Sequence, residues 1–177
     1  MKSLIQIVLM ISLPFVFFSC DSSNEPQTND FIKGDVSFGL KSSVTFEQII
    51  DNVFTIEEIQ TIKAGLYNSS TQFPEDSLHF IESTFYQLDF IDTALTTIKY
   101  SDNNNWLLNI GIRGFNENNI VKWYDLQSQF NMNPISTYKI YGLFKVEEGK
   151  ESYCIDRLKE TGLFDWLDYN YVANISH

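Results

Sequence analysis

Two cysteines in 177 residues, Cys20 and Cys154, constrain this chain more than any other feature, because the first closes an N-terminal segment that reads as a removable export signal. Lys2 is followed by an apolar run from Leu4 to Phe18, broken only by Gln6, Ser12 and Pro14, and then by Ser19 and Cys20. A charged start, a short apolar stretch and a small residue form the layout of a secretory signal peptide. The run falls short of the ~20 apolar residues that span a membrane, and no stop-transfer charges follow, so cleavage of residues 1–19 is expected. Taking 19 from 177 residues leaves 158, enough for one domain with a single sizeable core.

Ser19 before Cys20, with Asp21, Ser22, Ser23 and Asn24 after it, resembles a lipobox, whose cysteine is acylated and becomes the mature N-terminus. The resemblance implies lipidation of Cys20, attachment to a membrane through that lipid, and a place in the cell envelope. Either the inner or the outer membrane of a Gram-negative cell could hold it, the outer one being favoured. Membrane affinity grows by ~0.8 kcal/mol per buried CH2, so two or three acyl chains need no second signal. With Cys20 committed to lipid, Cys154 has no disulfide partner, and the exported body must be held by its core. Fifteen Phe, nine Tyr and three Trp supply apolar area for it. Cys154 itself lies among apolar neighbours in a helical stretch, without a nearby His or a Cys-x-x-Cys, as a small buried hydrophobe would.

Loss of Lys2 with the signal moves the formal charge from −11 to −12. So acidic a body argues against nucleic acid as a partner, since phosphates demand Lys and Arg. It also argues against polybasic adhesion to anionic lipid.

Residues 20–33 read as the lipidated cysteine and a polar, flexible tether, and residues 34–177 as one α+β domain. Val36, Phe38 and Leu40 alternate with polar or small residues, the period of a half-buried strand. Thr45 to Gln48 forms a capping box ahead of a helical face made by Phe46, Ile49, Ile50, Val53 and Phe54. Thr55 to Glu58 repeats the box, and Ile56, Ile59, Ile62 and Leu66 predict a second helix. Pro74 suits a first helical turn, and Leu78, Ile81, Phe85 and Leu88 predict a third. Residues 93–100 and Trp106 to Arg113 flank the turn Ser101 to Asn105 and predict a hairpin. Asn116 can cap a helix running to about Phe130. Tyr138, Ile140, Phe144 and Val146 predict a strand, followed by a short helix carrying Cys154, Ile155 and Leu158 and a last strand over 164–172. This order predicts a ferredoxin-like, split βαβ antiparallel sheet with extra helices after the first strand and an added C-terminal αβ unit.

Catalytic signatures are missing from the sequence. It holds no Gly-x-Ser-x-Gly, His-Glu-x-x-His, P-loop, Gly-x-Gly-x-x-Gly or Cys-x-x-Cys, and only two histidines, His79 and His177. His79 stands four residues after Glu75 and three before Glu82, a spacing that suits local pairing on one helix face. Acid pairs such as Glu57-Glu58 and Glu147-Glu148 are expected at helix starts, and Asp102 to Asn105 lacks the Gly and Glu of a calcium loop. The chain is therefore expected to be a non-catalytic module without cofactor or metal, binding an envelope protein, a protease or a glycan. Trp106, Trp123, Tyr124 and Trp166 could form a stacking surface. Trp106 leads an apolar alternation and belongs in the core, whereas Trp123 and Tyr124, adjacent on a helix, cannot both point inward and are the leading candidates for a contact surface. Asp76-Ser77-Leu78 and Asp92-Thr93-Ala94 resemble three-residue O-glycosylation sites of some Gram-negative envelope proteins, which marks Ser77 and Thr93.

From Lys145 to Val172 the chain resembles the end of the subtilisin-type propeptide and inhibitor family. There a strand enters a Val-x-x-Gly-x-Glu turn, a helix follows, and a last strand closes on a hydrophobic-acid-x-Asn-aromatic pattern. Val146, Gly149, Glu151, Leu158, Phe164, Asp168, Asn170 and Tyr171 take those places. Gly34 to Lys41 is similar to the family's first strand. The resemblance implies a ferredoxin-like core and a domain that binds a protease as inhibitor or chaperone, with Ala173 to His177 as the extended tail that enters the protease cleft.

Overall fold

A computed structural model describes residues 30–135 and 140–172. The expected signal peptide, Cys20, Tyr138 and the tail 173–177 lie outside the described residues. Among the described residues the fold is α+β, with a seven-stranded antiparallel sheet and four α-helices. No helix among them is long and apolar enough to cross a membrane.

Strand β1 (Phe31–Leu40) begins inside the segment expected to be tether. Pairing with the last strand accounts for this, because Phe31 faces Tyr171 and the Val172 N–H donates to the Asp30 carbonyl at 2.8 Å. Helix α1 (Phe46–Val53) follows, closed by the expected box: Thr45 Oγ1 accepts from the Gln48 N–H at 3.3 Å, and Gln48 Oε1 accepts from the Thr45 N–H at 2.9 Å.

The second expected helix is instead the longest strand, β2 (Ile59–Gln72). Its pairing shifts register between Ile59 and Thr61, between Ile62 and Ala64, and between Ala64 and Tyr67. A bulge adds one residue and stretches the two-residue repeat to three. The inward residues therefore fall at Ile59, Ile62, Ala64 and Tyr67 before alternation resumes at Ser69 and Thr71. That spacing imitates the i, i+3 stripe of a helix.

A short 3-10 turn (Glu75–Ser77) leads into α2 (Leu78–Tyr86), which buries Ile81 and Phe85. The hairpin of β3 (Ile91–Tyr100) and β4 (Asn105–Phe115) forms as expected, with Asn103 and Asn104 at φ 50° and 60° in its turn. The Asn116 side chain accepts from the Asn118 N–H and opens the turn into α3 (Ile120–Phe130). Then come the two-residue β5 (Asn133–Pro134), β6 (Tyr141–Val146), α4 (Glu151–Glu160) and β7 (Phe164–Tyr171).

The sheet order is β3-β4-β2-β6-β1-β7, with β5 also on β2, and every pair is antiparallel. Consequently β1 and β2 run in the same direction on either side of β6, and β6 and β7 do so on either side of β1. Only α1 stands between β1 and β2. Of the two extra helices expected there, one is β2 itself and the other is α2, which follows β2, while α3 follows the β3–β4 hairpin as expected. The C-terminal α4–β7 unit is no appendage, since β7 pairs with β1.

One hydrophobic cluster fills the space between sheet and helices. Phe38 stacks on Phe144 at 4.3 Å between ring centroids, and Phe46 meets Tyr67, Phe115 and Trp123. Cys154 is buried here, and burial, then the charges of Glu58 and Glu151, push its thiol up to about 11. The opposite face of the sheet carries the exposed Leu95, Leu107, Tyr141 and Trp166.

Candidate functional site

Three strands, β7, β1 and β6, build the most distinctive part of the open face. Gly39 is paired with Trp166 on one side and Tyr141 on the other. A register shift between Gly39 and Leu40 turns Phe164 into the core and Trp166 out of it, although the two are only two residues apart. The indole then lies across Gly39, where a Cβ atom would come within 2.7 Å of its Cε2. Glycine is required at this point because the ring occupies the place of a side chain. Trp166 is 42% exposed and Tyr141 54%, with ring centroids 6.1 Å apart and planes inclined by 30°. Trp166 Nε1 has no hydrogen-bond partner among the described residues.

Polar rows continue the face along the strands. Asp168, Ser37, Leu143 and Lys63 stand abreast on β7, β1, β6 and β2. Beyond them Asp35, almost wholly buried, is paired with Lys145 and accepts from Asn170 Nδ2 at 2.9 Å. That carboxylate has its partners and is a structural pin. At the other end a cleft of about 270 Å³ adjoins the indole, lined by Lys41, Lys159, Gly162, Asp165 and Trp166 among others. Two tilted aromatic faces, a polar surround and a neighbouring cleft suit a ligand with one apolar flat side and a hydroxylated edge.

Trp123 is corrected by the structure. It is wholly buried, and its Nε1 donates to Glu47 Oε1 at 3.2 Å. Glu47 also accepts from Tyr67 Oη at 3.0 Å and from Gln127 Nε2, so this carboxylate ties α1 to β2 and α3. Tyr124, 37% exposed, donates to Asp51 Oδ1 at 2.8 Å. Burial, then the bond to Asp51, push its phenol up to about 12. The adjacent pair is thus a seam between α1 and α3, and a ligand would meet at most one edge of Tyr124. Trp106 is buried as expected, its Nε1 shared between the carbonyls of Phe73 and Pro74 at 3.2 and 3.3 Å.

Ser77 is half-buried at the end of the 3-10 turn, whereas Thr93 is exposed in β3. His79 is exposed, and no group of three or more His, Cys, Asp or Glu among the described residues could hold a metal ion. Tyr141, the exposed ring beside Trp166, is the candidate residue that sequence reasoning missed. Its signal was present, since it falls on the polar phase of the alternation set by Ile140, Phe144 and Val146.

No protein-family model matches this chain, and no curated protein matches it.

Proposed function

We propose that this chain is a lipid-anchored protein of the cell envelope whose single domain binds glycan, without catalysis, on the open sheet face around Trp166 and Tyr141. The observation that carries the reading is the exposed indole laid over Gly39 beside a second exposed ring. Pyranose rings present an apolar C–H face and a hydroxyl rim, which complement aromatic faces bordered by Lys63, Ser37 and Asp168. The lipobox-like segment ending at Cys20 supports the anchor.

The experiment is co-sedimentation of the full chain with insoluble peptidoglycan, chitin, cellulose and starch. Retention on at least one polymer, reduced tenfold or more by Trp166→Ala, is expected. Retention on none, or equal retention of the variant, overturns the glycan reading.

The finer fold class we infer is a ferredoxin-like core. Strands β7-β1-β6-β2 have the order and directions of two interleaved βαβ units, with α2 to β5 inserted between β2 and β6. This favours a second reading, a domain related to subtilisin-type propeptides that inhibits a protease. The two segments carrying that resemblance meet in space, where the Gly34 N–H donates to Glu151 Oε1 at 2.7 Å. Fold likeness is a weak warrant for activity, so the test is direct: inhibition of a subtilase by the full chain, weakened by deleting residues 173–177. Absence of inhibition at micromolar concentration removes this reading.

A further inference from the structure

Where β1 begins and β7 ends, the ordinary division of a strand into a buried and a polar side breaks down. Phe31, Ile32, Tyr171 and Val172 are 36%, 44%, 45% and 47% exposed. Phe31 and Tyr171 are cross-strand partners, and the Val172 N–H bonds the Asp30 carbonyl, so the four side chains surround one corner of the sheet. Successive residues of a strand point to opposite sides, which wraps apolar surface around both sides of this ribbon end. The Tyr169 ring extends it, 4.7 Å from Phe31 and 6.1 Å from Tyr171. Single exposed apolar residues are ordinary, but a contiguous group marks a contact surface.

What covers this corner follows from the chain that leads to it. Asp30 stands ten residues after Cys20, and ten residue steps reach at most ~36 Å when fully extended. We propose that the Phe31, Ile32, Tyr171 and Val172 corner seats in the interfacial layer of the membrane to which Cys20 is anchored; this rests on the lipid-anchor reading above. The residue types fit that layer, since tyrosines place their rings at headgroup level and Phe, Ile and Val enter the acyl boundary. A formal charge of −12 once Lys2 is lost with the signal rules against attraction to anionic headgroups, so apolar contact has to hold the corner there. The glycan face then points outward. Gly39 lies eight residues along β1 from Phe31, roughly 26 Å at strand rise.

The test uses the full acylated chain in vesicles of phosphatidylethanolamine and phosphatidylglycerol, with a nitroxide label introduced through Ile32→Cys or, as distal reference, Asn103→Cys. Cys154 is buried and spared. At position 32, accessibility to a water-soluble nickel chelate should fall at least fivefold below that at position 103, while accessibility to oxygen rises. Adding Phe31→Ser and Tyr171→Ser should abolish the difference while the circular dichroism spectrum stays unchanged. Equal chelate accessibility at both positions, in a chain whose intact mass shows the acyl groups, overturns the docking and leaves the anchor reading standing. A chain recovered from its host without acyl mass overturns the anchor reading, and the docking with it.

Discussion

The seam between α1 and α3 and the open face of β7-β1-β6 are both built from aromatic pairs, yet only one is available to a partner. In the seam, Trp123 and Tyr124 each have a polar atom to satisfy and each finds a carboxylate on α1, Glu47 and Asp51. On the open face, Trp166 lies over a glycine and its Nε1 meets no acceptor among the described residues. Availability of an aromatic side chain is thus decided by where its polar handle is satisfied, more than by its neighbours in sequence. An indole buried and hydrogen-bonded to a half-buried carboxylate holds the fold together; one resting on a glycine is held in place at little cost and faces outward.

The comparison can be broken at several points. Trp123→Ala should have the largest effect, a loss of ~3–5 kcal/mol in denaturant unfolding, because it removes a wholly buried indole and leaves a cavity. Glu47→Ala should cost ~1–3 kcal/mol, as Tyr67, Trp123 and Gln127 lose a shared acceptor. Gly39→Ala should cost about 1 kcal/mol, the low end of overpacking, since the indole can swing into solvent. The same variant should weaken glycan retention as much as Trp166→Ala does, although it removes no atom from the platform. Trp166→Ala should change stability by no more than ~0.5 kcal/mol. If it destabilises like Trp123→Ala, the distinction between the two regions fails.

Tyr124 gives the smallest and most local readout. Its folded value, about 12, lies above the ~10 of an unfolded tyrosine. Its contribution is therefore complete below pH ~10 and disappears as pH rises from ~10 toward 12. Absorbance titration should show one phenol ionising near 12, absent in Tyr124→Phe. Ionisation of that phenol near 10 would mean that the bond to Asp51 does not persist in solution.

Much of the secondary structure was legible because its signals are local. The Thr45 box, the Asn-rich turn at 101–105 and the alternation in β1 and β4 each depend on a few adjacent residues. Strand β2 was not legible, because an extra residue between Ile59 and Thr61 and another between Ala64 and Tyr67 reproduce helical spacing. The strand order was legible only in class, since nothing local says that β6 inserts between β1 and β2. At the candidate site, Trp166 stood among four aromatic candidates and Trp123 ranked above it. The register shift beside Gly39 that turns Trp166 outward is a property of the β1–β7 pairing, and neither strand announces it alone.

Strand β1 is hydrogen-bonded on both sides, to β6 and to β7, over most of its length. One of its ends leads toward Cys20, and the other holds the glycine beneath the indole. Should a polymer held at Gly39 be dragged while lipid holds the other end, tension would travel along this one strand. Two ladders of hydrogen bonds would then be loaded in shear together, instead of opening one after another as at a peeled edge. The helices and the inserted hairpin stand outside that line of force, so the domain could resist mechanical pull without any part of its helical layer being strained.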